Sequence, residues 1–437
     1  MLLRLLVISL ASVAATWGQN AVTKWDSVAT FTRIYQTLRD SYPMPELAGW
    51  NGQQLFQEFK PRVAAASRED AMWLMDEFVS RLNDYHTRLF WPEKSRLIGP
   101  PIRVDAVLER EARPEGFGIW GRRHPPAEMP ELRGVKFAVV HAEENTGLRS
   151  GDEVVAIDGV PIRAAISRAW QHGVGSSVAA KLHDAASRLM HGEPGTEVWI
   201  DTLRGDVAGR IKIKRAPTER EAAVSDREVN GVPVIRISIW EGDRLVRDID
   251  RLLEQYRERP ALIFDVRGNG GGQSQLANDV IARFVTAPVI ASISFHRGRD
   301  AMFERTVETI APRGPWQYKG RVAVLSDEGC ISTCEHFVSG MIEAGALVAG
   351  TPTSGACGYI RRNDLGDGVR LYVSETFPLH GGIPSPQVGI APHVWVLPAI
   401  DDLRAGRDVT MSAAVEWVKS GAGLPVRMQP LSGGSDR

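Results

Sequence analysis

Cysteine is scarce in this chain: three residues in 437, Cys330, Cys334 and Cys357, all within one stretch. So few thiols exclude a disulfide framework, and an exported chain has room for one bridge with the third thiol left free or paired between chains. Neither C-x-x-C nor H-E-x-x-H occurs, so no zinc site is expected. Basic excess is missing as well. Lys plus Arg number 52 against 53 Asp plus Glu, a formal net charge of -1, which excludes nucleic acid and anionic membrane surfaces as general partners because nothing is left over to neutralise phosphates. A long apolar run is the third absence. The stretch Leu5 to Ala15, behind Arg4, falls short of the roughly 20 residues that cross a bilayer. It has the form of a secretory signal peptide, with candidate cleavage points after Ala15 or Gly18. Residues 1–18 are expected to be removed on export, periplasmic or extracellular, leaving no stable membrane anchor.

What is present is an ordinary globular composition, 43% hydrophobic and 24% charged, enough for two or three domains with full cores. Val22, Trp25, Val28, Phe31, Ile34, Tyr35 and Leu38 recur at helical spacing, as do Ala71, Leu74, Met75, Phe78, Val79 and Leu82, so residues 20–95 are expected to be a helical region. Ser67-Arg68-Glu69-Asp70 opens the second of these helices, Asn83-Asp84 ends it, and Tyr85-His86-Thr87 leads into a short strand. From about 225 the pattern alternates. Strands at Val232 to Trp240, Ala261 to Asp265 and Val322 to Leu325 interleave with helices at Leu245 to Tyr256, Leu276 to Val285 and Thr333 to Ala344, which predicts an α/β domain over 225–420. Residues 421–437, rich in Gly, Ser and Pro, are expected to form a mobile tail.

Strand Ala261 to Asp265 runs into Val266-Arg267 and then Gly268-Asn269-Gly270-Gly271-Gly272. Four glycines in five residues let a ligand approach backbone N–H groups and permit positive φ. A phosphate loop would need a Lys before Ser or Thr, and a G-x-G-x-x-G would need glycine at 273, where Gln stands. An anion hole at the C-terminal end of a strand is the remaining ligand-binding reading, beside a plain tight turn. The second element is Cys330-Ile331-Ser332-Thr333-Cys334-Glu335-His336, at the start of a helix. Ser332 and Glu335 fit a capping box. The same position gives Ser332 the positive end of a helix, with the Thr333 N–H placed for an oxyanion formed on a carbonyl that Ser332 attacks.

Two resemblances follow from these motifs. Gly147-Leu148-Arg149-Ser150-Gly151-Asp152-Glu153-Val154, continuing through Ile157-Asp158-Gly159, resembles a PDZ domain, and Gly116-Phe117-Gly118-Ile119 resembles the loop that holds a peptide's terminal carboxylate in that family. Asp265-Val266-Arg267-Gly268-Asn269-Gly270-Gly271, then Ser332-x-x-Glu335, then Gly350-Thr351-Pro352-Thr353-Ser354-Gly355, resemble the C-terminal processing (tail-specific) serine proteases over roughly residues 70–398. The resemblance implies an α/β, crotonase/Clp-like catalytic core with an N-terminal helical region and an inserted PDZ-like domain at 100–215. The lysine of the Ser-Lys branch is replaced: Thr353-Ser354-Gly355 is followed by Ala356 and Cys357. Asn83-Asp84-Tyr85-His86-Thr87 is similar to the D-x-H-[ST] element of the tricorn-like branch, which makes His86 the preferred base. The orienting serine and glutamate of that branch are replaced too, and Ser385, Gln387 and Asp84 are the candidates to stand in. His336, one helical turn beyond Ser332, is the rival base. A thiol is the better nucleophile near neutral pH, but the family position falls on Ser332 and not on Cys334. A bridge from Cys357 to Cys330 or to Cys334 is left open.

The expected function is an exported serine endopeptidase of unfolded or C-terminally exposed polypeptides. Ser332 attacks, His86 carries the proton, and the N–H groups of Thr333 and of Gly270 or Gly271 form the oxyanion hole. No metal or organic cofactor is implied. The alternatives are a catalytically inactive PDZ-containing peptide-binding protein and a hydrolase or binding protein for small acyl compounds on the same core.

Overall fold

The computed structural model describes residues 25–426 except 44, 46–48, 110–124, 219, 298–302, 357, 381–382 and 385–388. The proposed signal segment, Gly116 to Ile119, Cys357, Ser385 and Gln387 therefore lie outside the described residues, as do residues 427–437 of the tail.

The α/β part is built on a six-stranded sheet whose spatial order is Val394–Trp395, Leu347–Gly350, Arg321–Ser326, Ala261–Asp265, Val232–Ile237 and Val224–Val229. Neighbours are parallel except the last pair, which forms an antiparallel hairpin. Alternation along each strand divides the side chains between two cores. Leu262, Phe264, Val322 and Val324 pack with Leu253, Val280, Phe337 and Met341 of helices Leu245–Gln255, Ser274–Ile281 and Thr333–Glu343. Ala261, Ile263, Ala323 and Leu325 point to the other face, where Met411, Ala414, Val415 and Val418 of helix Val409–Ser420 cover them. A sheet covered on both faces explains why these strands read as continuous apolar runs.

Because consecutive parallel strands are spatial neighbours, the loops after Asp265, Ser326 and Gly350 leave the same edge of the sheet side by side. Those loops hold the glycine run, Ser332 and Thr353 to Gly358.

Among the described residues the N-terminal region has three helices, Ser27–Ser41, Gly52–Ala65 and Arg68–Ser80, not two. Phe56, Phe59 and Val63 form the buried stripe of the middle helix, a helical spacing that the sequence carries plainly. These helices share one core with Leu365, Val369, Leu371 and Val373 of strands Ile360–Gly366 and Val369–Ser374. Strand Arg88–Phe90 pairs antiparallel with the second of them. This pairing carries residues 84–87 back to the edge where the three loops emerge.

Between the two lies an antiparallel sheet of Ile102–Leu108, Val135–Ala142, Glu153–Ile157, Glu197–Arg204 and Val207–Lys214, packed against helices Ile162–Trp170 and Val178–Arg188. Gly151 and Gly159 of the Gly147 to Gly159 motif take φ of +83° and +77°, and Gly147 takes +72°, so the glycines of that pattern serve as left-handed turn residues. No helix among the described residues is long and apolar enough to cross a membrane.

Candidate active site

Ser332 precedes the first residue of helix Thr333–Glu343 and has φ 61° and ψ -118°. A serine held at positive φ costs about 1–3 kcal/mol and persists only where its surroundings overdetermine it. Here three of them do so. The Ser332 N–H is shared between the Ala356 carbonyl at 2.8 Å and Glu335 Oε2 at 3.3 Å. A disulfide joins Cys330 to Cys334, with Cα atoms 5.3 Å apart, and so brackets Ser332 symmetrically. The bridge therefore runs between the two cysteines nearest in sequence, and the pairing through Cys357 is corrected. Gly271 packs directly behind: a Cβ there would lie 2.8 Å from Ser332 Cβ and 3.1 Å from the Thr333 nitrogen.

The glycine loop is fixed from several sides. Arg267 forks onto Asp265 and Asp408, the latter at the start of helix Val409–Ser420, with its closest contact to each at 2.7 and 2.8 Å. Arg267 and burial act oppositely on Asp265; burial is the largest influence, yet the paired guanidinium leaves the carboxyl below its usual range. Gly268 N–H donates to Asp327 Oδ1 at 2.6 Å, and Ile331 N–H to the Asn269 carbonyl at 3.0 Å, so this loop and the Ser332 loop are tied together. Gly271 N–H donates to Asn269 Oδ1 at 2.9 Å. Of the two glycines expected to face an oxyanion, Gly271 has its N–H committed inside the loop, while Gly270 is exposed with nothing within 4 Å of a Cβ placed on it. Thr333 anchors the helix start to the same loop through its hydroxyl, 2.7 Å from the Gly272 carbonyl.

Glu335 does more than close a capping box. Fully buried, it accepts the Thr353 hydroxyl at 2.6 Å and the N–H groups of Gly355 and Ala356 at 2.7 Å each. Burial pushes its carboxyl up to about 7 against the opposing pull of these donors. The carboxylate clamps the third loop onto the Ser332 helix.

His86 reaches that loop from the N-terminal region. Asp84 Oδ2 accepts the Thr87 hydroxyl at 2.7 Å and the Ser374 hydroxyl at 2.6 Å, while its Oδ1 accepts the His86 N–H at 3.0 Å. Ser374 lies at the end of the strand that pairs with Arg88–Phe90, so Asp84 fixes the His86 backbone to the sheet. The imidazole is 4% exposed, takes part in a backbone hydrogen bond at Gly358, and has no partner at Nδ1 among the described residues. Burial lowers its pKa to about 4, with the Asp84 charge opposing. Ser332 and His86 thus both touch one short segment, through Ala356 and Gly358. His336 is engaged elsewhere. Its Nε2 lies 2.5 Å from Asn278 Oδ1, and Asn278 in turn donates to Glu308. The rival base is therefore held in a separate, half-buried network.

Residues 231–396 match the model of "Peptidase family S41". Over 236 residues the chain is 27% identical to the carboxy-terminal processing protease CtpB of Bacillus subtilis, an alignment that spans 52% of this chain and 44% of the relative. It is 24% identical over 376 residues to the carboxyl-terminal-processing protease of a Synechocystis species, spanning 82% of this chain and 79% of that one. The crystal structure of mature CPAF superimposes with a TM-score of 0.68 at 14% identity, covering 92% of this chain and 99% of that one, so the mixed helix and sheet fold is shared. The glycine loop, Ser332, Glu335 and the Thr353 to Gly358 segment all lie inside the residues that match the model of that peptidase family.

Proposed function

We propose that this chain is an exported serine endopeptidase that cleaves unfolded or C-terminally exposed polypeptides. The observation that carries the reading is the convergence at Ser332: a left-handed serine at a helix start, a glycine against its Cβ, and a loop segment that touches both Ser332 and His86. Ser332 Oγ attacks a peptide carbonyl while His86 takes its proton, and the same imidazole returns that proton to the leaving amine. Water then attacks the acyl-enzyme with His86 as base, giving the free carboxylate and restoring Ser332.

The tetrahedral oxyanion is met by the N–H groups of Thr333 and Gly270. Losing one such donor costs about 3 kcal/mol of transition-state stabilisation. Burial keeps His86 neutral near pH 7, the form a base needs. Asp84 is its positioning residue, through the backbone and through charge. The PDZ-like unit at 100–215, with Gly116 to Ile119 as its carboxylate loop, delivers polypeptide C-termini to a crotonase/Clp-like core; this role comes from the family likeness.

The test is hydrolysis of an unfolded protein by the full chain, beside Ser332→Ala and His86→Ala. The expected result is cleavage by the wild type and a loss of at least about 10³-fold in both variants. If the three are equally inert while C-terminal peptides still bind, the chain is a peptide-binding protein and the peptidase reading fails.

A further inference from the structure

A cavity of about 1350 Å³, lined by neither Ser332 nor His86, separates the antiparallel sheet of the middle unit from the C-terminal edge of the core sheet. Arg103 and Asp105 line it on one side, Ser326, Asp327, Glu328 and Thr351 on the other. Where Asp105 and Glu328 line it, three segments meet, the third behind the wall. Asp105 lies on strand Ile102–Leu108, His183 on helix Val178–Arg188, and Glu328 in the loop after strand Arg321–Ser326; one potential ligand atom from each lies within 4.8 Å of the other two. Among the described residues no other group of three His, Cys, Asp or Glu converges in this way.

The donors are held in place from behind. His183 Nδ1 is 2.6 Å from Asp105 Oδ2, the other Asp105 oxygen accepts the Ala106 N–H at 2.9 Å, and Glu328 Oε2 accepts the Thr351 hydroxyl at 2.6 Å. The last two, from Ala106 and Thr351, are outer hydrogen bonds of the kind that orient metal ligands in known sites. Carboxylates crowd the imidazole, while Arg103 of the same wall acts on Asp105. The carboxylates of Asp105, Asp327 and Glu328 all act on the one imidazole. The cavity supplies an entry path and room for water.

We infer that Asp105, His183 and Glu328 form a binding site for a divalent first-row metal ion, with Zn²⁺ the best match to one imidazole and two carboxylates. Three protein ligands leave a coordination position for water from the cavity. On binding, the proton shared by His183 and Asp105 is released to solvent and the ion takes its place. The nitrogen and oxygen, now 2.6 Å apart, then separate to about 3.3 Å, the edge of a tetrahedron with bonds of about 2.0 Å.

The site spans two units of the fold. Glu328 lies in the loop that ends at Ser332, and its neighbour Asp327 holds the Gly268 N–H. An ion there fixes the middle unit against both loops of the candidate active site. This regulatory consequence rests on the proposed peptidase reading, whereas the binding itself does not.

The test is a calorimetric titration of ZnCl₂ into untagged, chelator-stripped full chain, beside His183→Gln, Glu328→Gln and, as a surface control, His296→Gln. The expected result is one saturable site, weakened at least tenfold in the first two variants and unchanged in the third. Glu328→Gln keeps the His183 and Asp105 pair intact, so it remains informative if His183→Gln folds poorly. Absence of saturable binding, or equal binding in all four proteins, overturns the site. Hydrolysis of an unfolded substrate with and without ZnCl₂ tests the coupling: a zinc-dependent rate in the wild type that is lost in Glu328→Gln supports it, and a rate indifferent to zinc overturns it. An inert enzyme with intact zinc binding overturns the peptidase reading and leaves the metal site standing.

Discussion

Glu335 Oε1 accepts the hydroxyl of Thr353 at 2.6 Å, fastening the helix that starts behind Ser332 to the loop that reaches His86 through Gly358. With Gly355, Ala356 and Ser332 also donating, four donors converge on one buried carboxyl group. Glu335→Gln places an amide N–H against donors that need an acceptor. Each orphaned buried group costs about 1–3 kcal/mol, so the expected loss is about 2–4 kcal/mol in urea unfolding, with hydrolysis falling in parallel. A loss below about 0.5 kcal/mol would remove the clamp from the account.

Neighbouring glycines are expected to respond differently to alanine. Gly271 has φ +95°, and a Cβ there meets the Ile331 carbonyl and Ser332 Cβ at 2.8 Å. Gly271→Ala should lower stability by several kcal/mol, since backbone strain and overpacking add. Gly270 has open space around it, and Gly270→Ala should stay within about 0.5 kcal/mol of the wild type. Thermal melts of the two variants decide the matter.

The pH dependence of stability has opposite signs at two groups. His86 falls from 6.5 to about 4 on folding, so the unfolded chain binds its proton first and stability is lost as pH drops through that window. The full effect is roughly 3 kcal/mol, and His86→Gln lacks it. Glu335 rises from 4.5 to about 7, so its contribution is complete below 4.5 and is lost as pH rises through 7. Urea unfolding between pH 4 and 7 should show the wild type losing more stability than His86→Gln on acidification. Equal loss in both would place the histidine in solvent.

Opening the Cys330–Cys334 bridge should loosen the segment around Ser332. The loop it closes is short, with a sequence separation of 4, and chain entropy predicts a contribution of about 2 kcal/mol. Melting with and without a thiol-free phosphine reductant measures it, and a serine-directed acylating probe should label Ser332 more slowly after reduction. Unchanged melting and labelling would make the bridge irrelevant to the site.

Much of the core was legible because its signals are local. Strand Ala261–Asp265 has the expected bounds, and helix Thr333–Glu343 ends one residue before expected, since apolar runs and a capping residue are set by neighbours in sequence. The middle N-terminal helix was missed although Phe56, Phe59 and Val63 marked it. Other features depend on long-range pairing. That His336 turns to Asn278, and that Asp105, His183 and Glu328 meet across three segments, have no local pattern to betray them.

The sequence by itself determined the α/β alternation, the glycine loop, the serine at a helix start and the absence of a lysine beside Thr353 to Gly355, because each is written in contiguous residues. Tertiary structure decided which groups meet. Parallel strand order sets three loops on one sheet edge, antiparallel pairing of Arg88–Phe90 with Val369–Ser374 carries His86 to them, and burial sets the charge state of His86 and Glu335. Distances between segments and the loss of water around them are properties of the folded chain, since only packing brings remote residues together and excludes solvent from between them.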